Sequence, residues 1–176
     1  RDLVDTIMVT PDMGQAKSAA RFANILGLPI AAGNKERISD ADVQIRGLVG
    51  NQVRGHKRAL IYDDEIATGG SIHELSRLLI EEGVEEMLVI CTHGVFTRGG
   101  LERLADVPQI SEIVTTDTVY IPPEKRHPKL KILSVAPIFA DAIRHNLHRQ
   151  SLNELFVFGE YCSFNDPVAS IKIIIE

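Results

Sequence analysis

The run Leu60-Ile61-Tyr62-Asp63-Asp64-Glu65-Ile66-Ala67-Thr68-Gly69-Gly70-Ser71 constrains the fold more than any other part of the chain. An apolar strand ends in two carboxylates, and a glycine-containing turn opens a helix expected over about Ser71 to Glu82. A strand, a turn and a helix in this order are the repeating unit of α/β proteins. Thr68, Gly69, Gly70 and Ser71 present successive backbone N–H groups at a helix N-terminus, a preformed site for a phosphate dianion that glycine lets the ligand approach closely. Asp63 and Asp64 fall at the carboxyl end of the strand, where open α/β sheets bind ligands. Their oxygens suit sugar hydroxyls or a divalent cation. A plain turn capped by Asp uses the same residue types. Two acids followed at this spacing by Thr-Gly-Gly-Ser are far more specific than a lone glycine pair.

The remaining pattern repeats the unit. Ile7-Met8-Val9 reads as a buried strand, followed by the Thr10-to-Gly14 turn and a helix over Gln15 to Leu26. Pro29-Ile30-Ala31 is a short second strand, and polar Asn34 to Asp42 reads as an exposed, mobile loop. Val43 to Val49 alternates at period two, as an antiparallel or edge strand does. Met87 to Thr92, Ile110 to Thr115 and Leu130 to Val135 are further strands, with a helix near Leu101 to Ala105. Ala136 to Arg149 is an amphipathic helix expected to bury Ile138, Phe139, Ala142, Ile143 and Leu147. The apolar run Ile171 to Ile175 closes the chain as a possible edge strand. No repeat or long linker interrupts this order, so one domain is expected.

Composition removes other classes. At 176 residues, 44% hydrophobic and 24% charged, the chain is long enough for a core without disulfides or a structural metal. A net charge of -5 marks neither a nucleic-acid nor a membrane-surface binder. No apolar run is long enough to span a bilayer. The two cysteines, Cys91 and Cys162, stand in unrelated contexts, with Cys91 expected in the core. This fits a reducing, cytoplasmic setting. His56, His73, His127, His145 and His148 show no metal-ligand spacing and read as surface residues, while His93 reads as orienting a loop.

The segment after Tyr62 resembles the phosphoribosyl-diphosphate-binding motif of the type I phosphoribosyltransferase fold. Within that superfamily the chain resembles the C-terminal half of the ribose-phosphate diphosphokinases. Thr10-Pro11-Asp12-Met13-Gly14 is similar to their Ser-Pro-Asp-x-Gly-Gly, and Lys35-Glu36-Arg37 to the Lys-Arg-Arg of their flexible loop. Thr92-His93-Gly94-Val95 with Leu101-Glu102-Arg103-Leu104, Val114 to Thr118, Leu133 to Pro137 and Ser151 to Phe156 follow in the family's order.

The resemblance implies a three-layer α/β fold, a mainly parallel sheet flanked by helices. It implies a phosphoribosyltransferase-type domain over 1–156, forming half of a two-domain enzyme, with 157–176 as an extension. The implied reaction transfers the diphosphoryl group of MgATP to the 1-hydroxyl of ribose 5-phosphate, giving phosphoribosyl diphosphate and AMP. Thr68, Gly69, Gly70 and Ser71, with Ala67, would hold the 5-phosphate, and Asp63 and Asp64 the ribose hydroxyls, directly or through Mg2+. Asp12 would help place the metal, although capping the helix near Gln15 is the bland reading of that residue. Lys35 and Arg37 would close over the diphosphoryl group as catalytic residues, and Ser151 and Phe156 correspond to a possible allosteric site. A homo-oligomer is implied, with an N-terminal domain of the same fold supplying most ATP contacts. Gln15, Asn34, Glu36 and Ala67 depart from the kinase pattern. Ala67 matches nucleobase phosphoribosyltransferases, which stand as an alternative, as does a non-catalytic regulatory relative of the kinase.

Overall fold

The computed structural model describes residues 3–37 and 43–156. Contacts divide the chain into two compact units, Val4–Leu133 and Arg1–Leu3 with Ser134–Glu176.

The first unit is built on seven strands: β1 (Thr6–Thr10), β2 (Ile30–Arg37), β3 (Val43–Gly50), β4 (Arg58–Ile66), β5 (Glu86–Gly94), β6 (Ile110–Thr116) and β7 (Leu130–Leu133). They form one sheet in the order β3-β2-β1-β4-β5-β6-β7. Every pairing is parallel except β2 with β3. All five residues of β1 are buried, which is what a central strand covered on both faces requires. β4 buries Ala59, Leu60 and Ile61 and then becomes polar as it leaves the core at Asp63.

Helices flank this sheet. α1 (Ala16–Leu26) packs on β1 and β2. It buries Ala19 and Ala23 fully, and its Phe22 meets Tyr62 of β4 with ring centroids 4.9 Å apart. α2 (Gly70–Glu81) buries Ile72, Leu75, Ser76 and Leu79, the i, i+3, i+4, i+7 stripe of an amphipathic helix. α3 (Gly100–Ala105) buries Leu101 and Leu104 and contacts α2 and β6. Lys129 closes its far end, donating to the carbonyls of Ala105 at 2.7 Å and Val107 at 3.1 Å. Cys91 lies in the core as expected, and burial pushes its thiol up to about 12.

Three expectations are corrected. Asn34 to Arg37 is not loop: β2 runs through it and pairs with β3, Lys35 opposite Ile45 and Arg37 opposite Val43. A hairpin satisfies the backbone of a polar segment as well as solvent does, and a register shift between Gly33 and Lys35 accommodates the change of course. The rest of that expected loop, 38–42, lies outside the described residues, as does the expected edge strand at Ile171 to Ile175. The second correction concerns α4 (Ala136–Leu147) in the second unit. Ile138, Phe139, Ile143 and Leu147 are 60 to 76% exposed rather than buried, because the stripe records amphipathicity and not what covers it. The third is His145, expected at the surface but buried. Its Nδ1 lies 2.8 Å from the Ser151 carbonyl, which can only accept, so the proton sits on Nδ1.

No helix among the described residues is long and apolar enough to cross a membrane.

Candidate functional site

Strand order places the site. The chain leaves β1 toward the β2–β3 edge and later builds the other half of the sheet outward from β4. The segments following β1 and β4 therefore part, leaving a crevice at the carboxyl ends of two neighbouring strands. A cleft of about 260 Å³ lies there. Pro11, Asp12 and Gln15 line it from beyond β1, Asp63 to Ile72 from β4 and the start of α2, and Lys35 from β2.

The cleft thus gathers Asp12, Lys35, Asp63, Asp64, Ala67, Thr68, Gly69, Gly70 and Ser71 from three segments. Arg37 belongs to β2, but its side chain and that of Phe156 lie outside the described residues. Ser151 belongs to the second unit, where it lines a depression with Arg144, His145, His148 and Gln150, and its Oγ accepts from the Asn153 N–H at 3.1 Å.

The loop before α2 has the form an anion site needs. Gly69 is the N-cap at φ 71°, a left-handed conformation that glycine adopts without strain. Being glycine, this N-cap has no side chain with which to cap the helix. The His73 N–H bonds back to the Gly69 carbonyl at 2.9 Å, so the amides of Gly70, Ser71 and Ile72 form the first turn, at the positive end of the helix dipole.

Burial raises the Asp63 carboxyl from its ordinary 3.8 to about 7, and the neighbouring Asp64 charge pushes the same way. The Asp64 N–H donates to Asp63 Oδ1 at 3.0 Å and Lys35 lies close enough to favour ionisation, but neither offsets the lost solvation. Tyr62 is raised as well, first by burial and then by these two carboxylates. Asp12 has one oxygen committed, accepting from the Gly14 N–H at 2.7 Å to cap a 3-10 turn over Met13–Gln15.

Among the described residues no three His, Cys, Asp or Glu side chains converge as a ready-made metal cage. Mg2+ needs none: it is commonly held by one or two carboxylates, waters and substrate phosphates. Two adjacent carboxylates, one of them resisting ionisation chiefly because it is buried, suit such an ion.

Two residues of α3 support the loop, and sequence reading assigned neither of them a role. Gly100 packs so closely that a Cβ on it would lie 2.6 Å from the Ala67 carbonyl oxygen and 3.0 Å from the Thr68 carbonyl carbon. Arg103 donates from its guanidinium to the Thr68 carbonyl. No local pattern announces contacts made across more than thirty residues of chain. His93 lies at the end of β5 with Nδ1 2.8 Å from Thr118 Oγ1. Thr118 and Thr116 in turn donate to the Thr92 carbonyl at 3.0 and 2.7 Å, the loop-orienting arrangement expected of this histidine.

Comparison with known proteins gives the family and the fold. Residues 45–157 match the family described as the phosphoribosyl synthetase-associated domain. The chain is 41% identical over 152 residues to a ribose-phosphate pyrophosphokinase of Rhodopirellula baltica, covering 86% of this chain and 48% of that protein. A ribose-phosphate pyrophosphokinase of Clostridium acetobutylicum is 39% identical over 152 residues, covering 86% and 47%. The crystal structure of phosphoribosylpyrophosphate synthetase from Mycobacterium smegmatis superposes with a TM-score of 0.72 at 34% identity, over 82% of this chain and 46% of that one. The mainly parallel sheet with flanking helices is therefore shared. The chain spans about half the length of the curated relatives it matches.

Proposed function

Because the chain belongs to the family of the phosphoribosyl synthetase-associated domain, we propose that it supplies the sugar-phosphate site of a ribose-phosphate diphosphokinase. One observation carries the reading: a helix N-terminus without a side-chain cap, a carboxylate pair and a lysine meet in one cleft at the sheet's switch point. Residues 1–156 act in this reading as one half of a two-domain cytoplasmic enzyme that works as a homo-oligomer, with 157–176 as an extension. ATP contacts come chiefly from the other half and from a neighbouring subunit.

The 5-phosphate sits on the amides that open α2, where hydrogen bonds and the helix dipole act together. Asp63 and Asp64 accept from the ribose 2- and 3-hydroxyls and so orient the sugar. Its 1-hydroxyl oxygen attacks the β-phosphorus of ATP, the bond from that phosphorus to the α-phosphate oxygen breaks, AMP leaves, and the hydroxyl proton passes to solvent. Lys35 offsets charge on the transferring diphosphoryl group. The protein performs little covalent chemistry here, and positioning supplies most of the rate. Mg2+ would be held by Asp63 and Asp64, with Asp12 beside them, together with substrate oxygens; when bound it neutralises phosphate charge.

Isothermal titration with ribose 5-phosphate and with phosphoribosyl diphosphate, with and without Mg2+, tests the site. Both are expected to bind, and the diphosphate to gain more from Mg2+. Absence of heat for either ligand sinks the assignment. With the whole enzyme, AMP release from ATP and ribose 5-phosphate separates the kinase from a nucleobase transferase, which would consume base with phosphoribosyl diphosphate instead.

Lys35→Met is expected to weaken phosphoribosyl diphosphate binding roughly tenfold, the value of about one charge-assisted hydrogen bond, while leaving ribose 5-phosphate nearly unchanged. Equal losses for the two ligands would place the lysine at the 5-phosphate instead.

A further inference from the structure

We infer that Arg103, which does not line the cleft, is a positioning residue that aims the phosphate loop by holding the Thr68 carbonyl. The inference rests on reading the cleft as a ribose-phosphate site. A trans peptide is planar, and its C=O and N–H point in opposite directions. Fixing the Thr68 carbonyl toward α3 therefore fixes the Gly69 N–H away from α3.

This peptide needs an outside restraint. Gly69 has φ 71°, and glycine occupies several backbone regions at similar cost, so the 68–69 unit is free to rotate unless something holds it. The N-cap, being glycine, has no side chain to do so from within the loop. The guanidinium is a charged donor to a neutral carbonyl, a stronger bond than one between two neutral groups.

Packing fixes the same stretch from the same side. A Cβ on Gly69 would meet the Gly100 carbonyl oxygen at 3.0 Å and Leu104 Cγ at 3.1 Å, so the loop rests on α3. Arg103 lies on that helix next to Leu104. The helix thus sets the depth of the loop, and Arg103 sets the orientation of its peptide. Its predicted effect is on affinity for the phosphate group, through amides that Arg103 itself does not carry.

Three variants of the 176-residue chain separate this from direct attraction of the phosphate by a nearby cation. Ribose 5-phosphate affinity is measured by titration, thermal midpoint by calorimetry, and the Gly69 and Gly70 amides by 1H–15N spectra of the free chain. Arg103→Ala is expected to bind about tenfold more weakly and to shift both amide resonances with little change in midpoint, since the side chain is exposed. Arg103→Gln keeps an N–H donor without the charge, so it is expected to retain most of the affinity and near-native amide shifts; it also serves if the alanine variant does not fold. Affinity retained by Arg103→Lys but lost in Arg103→Gln to the level of Arg103→Ala overturns the inference in favour of charge attraction. Wild-type affinity in Arg103→Ala overturns it outright. A wild-type chain that binds no ribose 5-phosphate overturns the reading of the cleft, and this inference falls with it.

Discussion

Asp63→Asn is expected to make the protein more stable at pH 8 and to cost it its ligand. The Asp63 carboxyl titrates near 7 in the folded chain against 3.8 ordinarily, chiefly because it is buried. Between those values the folded state holds a proton that the unfolded state has released. Stability therefore falls as pH rises from about 4 to about 7, and above that the penalty of a buried charge is constant. A shift of that size corresponds to an upper bound of about 4 kcal/mol, and partial solvent access reduces it to on the order of 2 kcal/mol. Asparagine keeps the shape and removes the charge. For a chain of this size the expected gain in melting temperature at pH 8 is roughly 4–8 °C, vanishing toward pH 4. Ribose 5-phosphate affinity should fall at least about tenfold, since one carboxylate acceptor is replaced by an amide that presents a donor. Calorimetric melts from pH 4 to 8, with titration of the ligand, check both halves. A variant no more stable at pH 8 than the parent would show that Asp63 ionises without penalty.

Gly100→Ala is the opposite case, expected to lose both stability and binding. At φ −64° the backbone of Gly100 is ordinary helix, so alanine brings no conformational strain there. The difficulty is space. A new methyl would stand 2.6 Å from the Ala67 oxygen and 3.0 Å from the Thr68 carbonyl carbon, and both are backbone atoms that cannot rotate aside. Either α3 retreats from its packing or the loop before α2 moves. Overpacking of this kind costs typically about 1–3 kcal/mol. The larger effect is on function, because the displaced atoms belong to the loop itself, and ribose 5-phosphate affinity is expected to drop by on the order of a hundredfold. Gly70→Ala is the control for stability. The nearest atom to its Cβ is Thr68 Oγ1 at 3.7 Å, an ordinary contact, so its melting temperature should stay close to that of the parent. Equal midpoints for Gly100→Ala and the parent would contradict the crowding.

These two residues divide along the line between what is local and what is not. Asp63, its neighbour Asp64 and the Thr68-to-Ser71 turn are legible in the sequence because strand, turn and helix are consecutive, and each signals itself by composition and period. The strand-and-helix order is readable for the same reason, as is the anion-site character of the loop after Tyr62. The protonation of Asp63 was not readable. It depends on how much protein surrounds the carboxyl, which adjacent residues do not reveal.

The polar stretch after Gly33 shows the limit most clearly. Its composition is that of a loop, yet its backbone finds partners in β3, and the hairpin carries Lys35 to the cleft. The stripe on α4 misleads in the reverse direction, for amphipathicity states that a helix has an apolar side and leaves open what covers it. The sequence by itself determined the α/β alternation and the glycine-rich turn that opens α2, since both are written in residues that are neighbours along the chain. Only the tertiary structure decided that Lys35 lines the same cleft, that Gly100 and Arg103 contact the turn, and that Asp63 resists ionisation. Each of these depends on register, close approach and exclusion of water between segments far apart in sequence, quantities set by packing rather than by pattern.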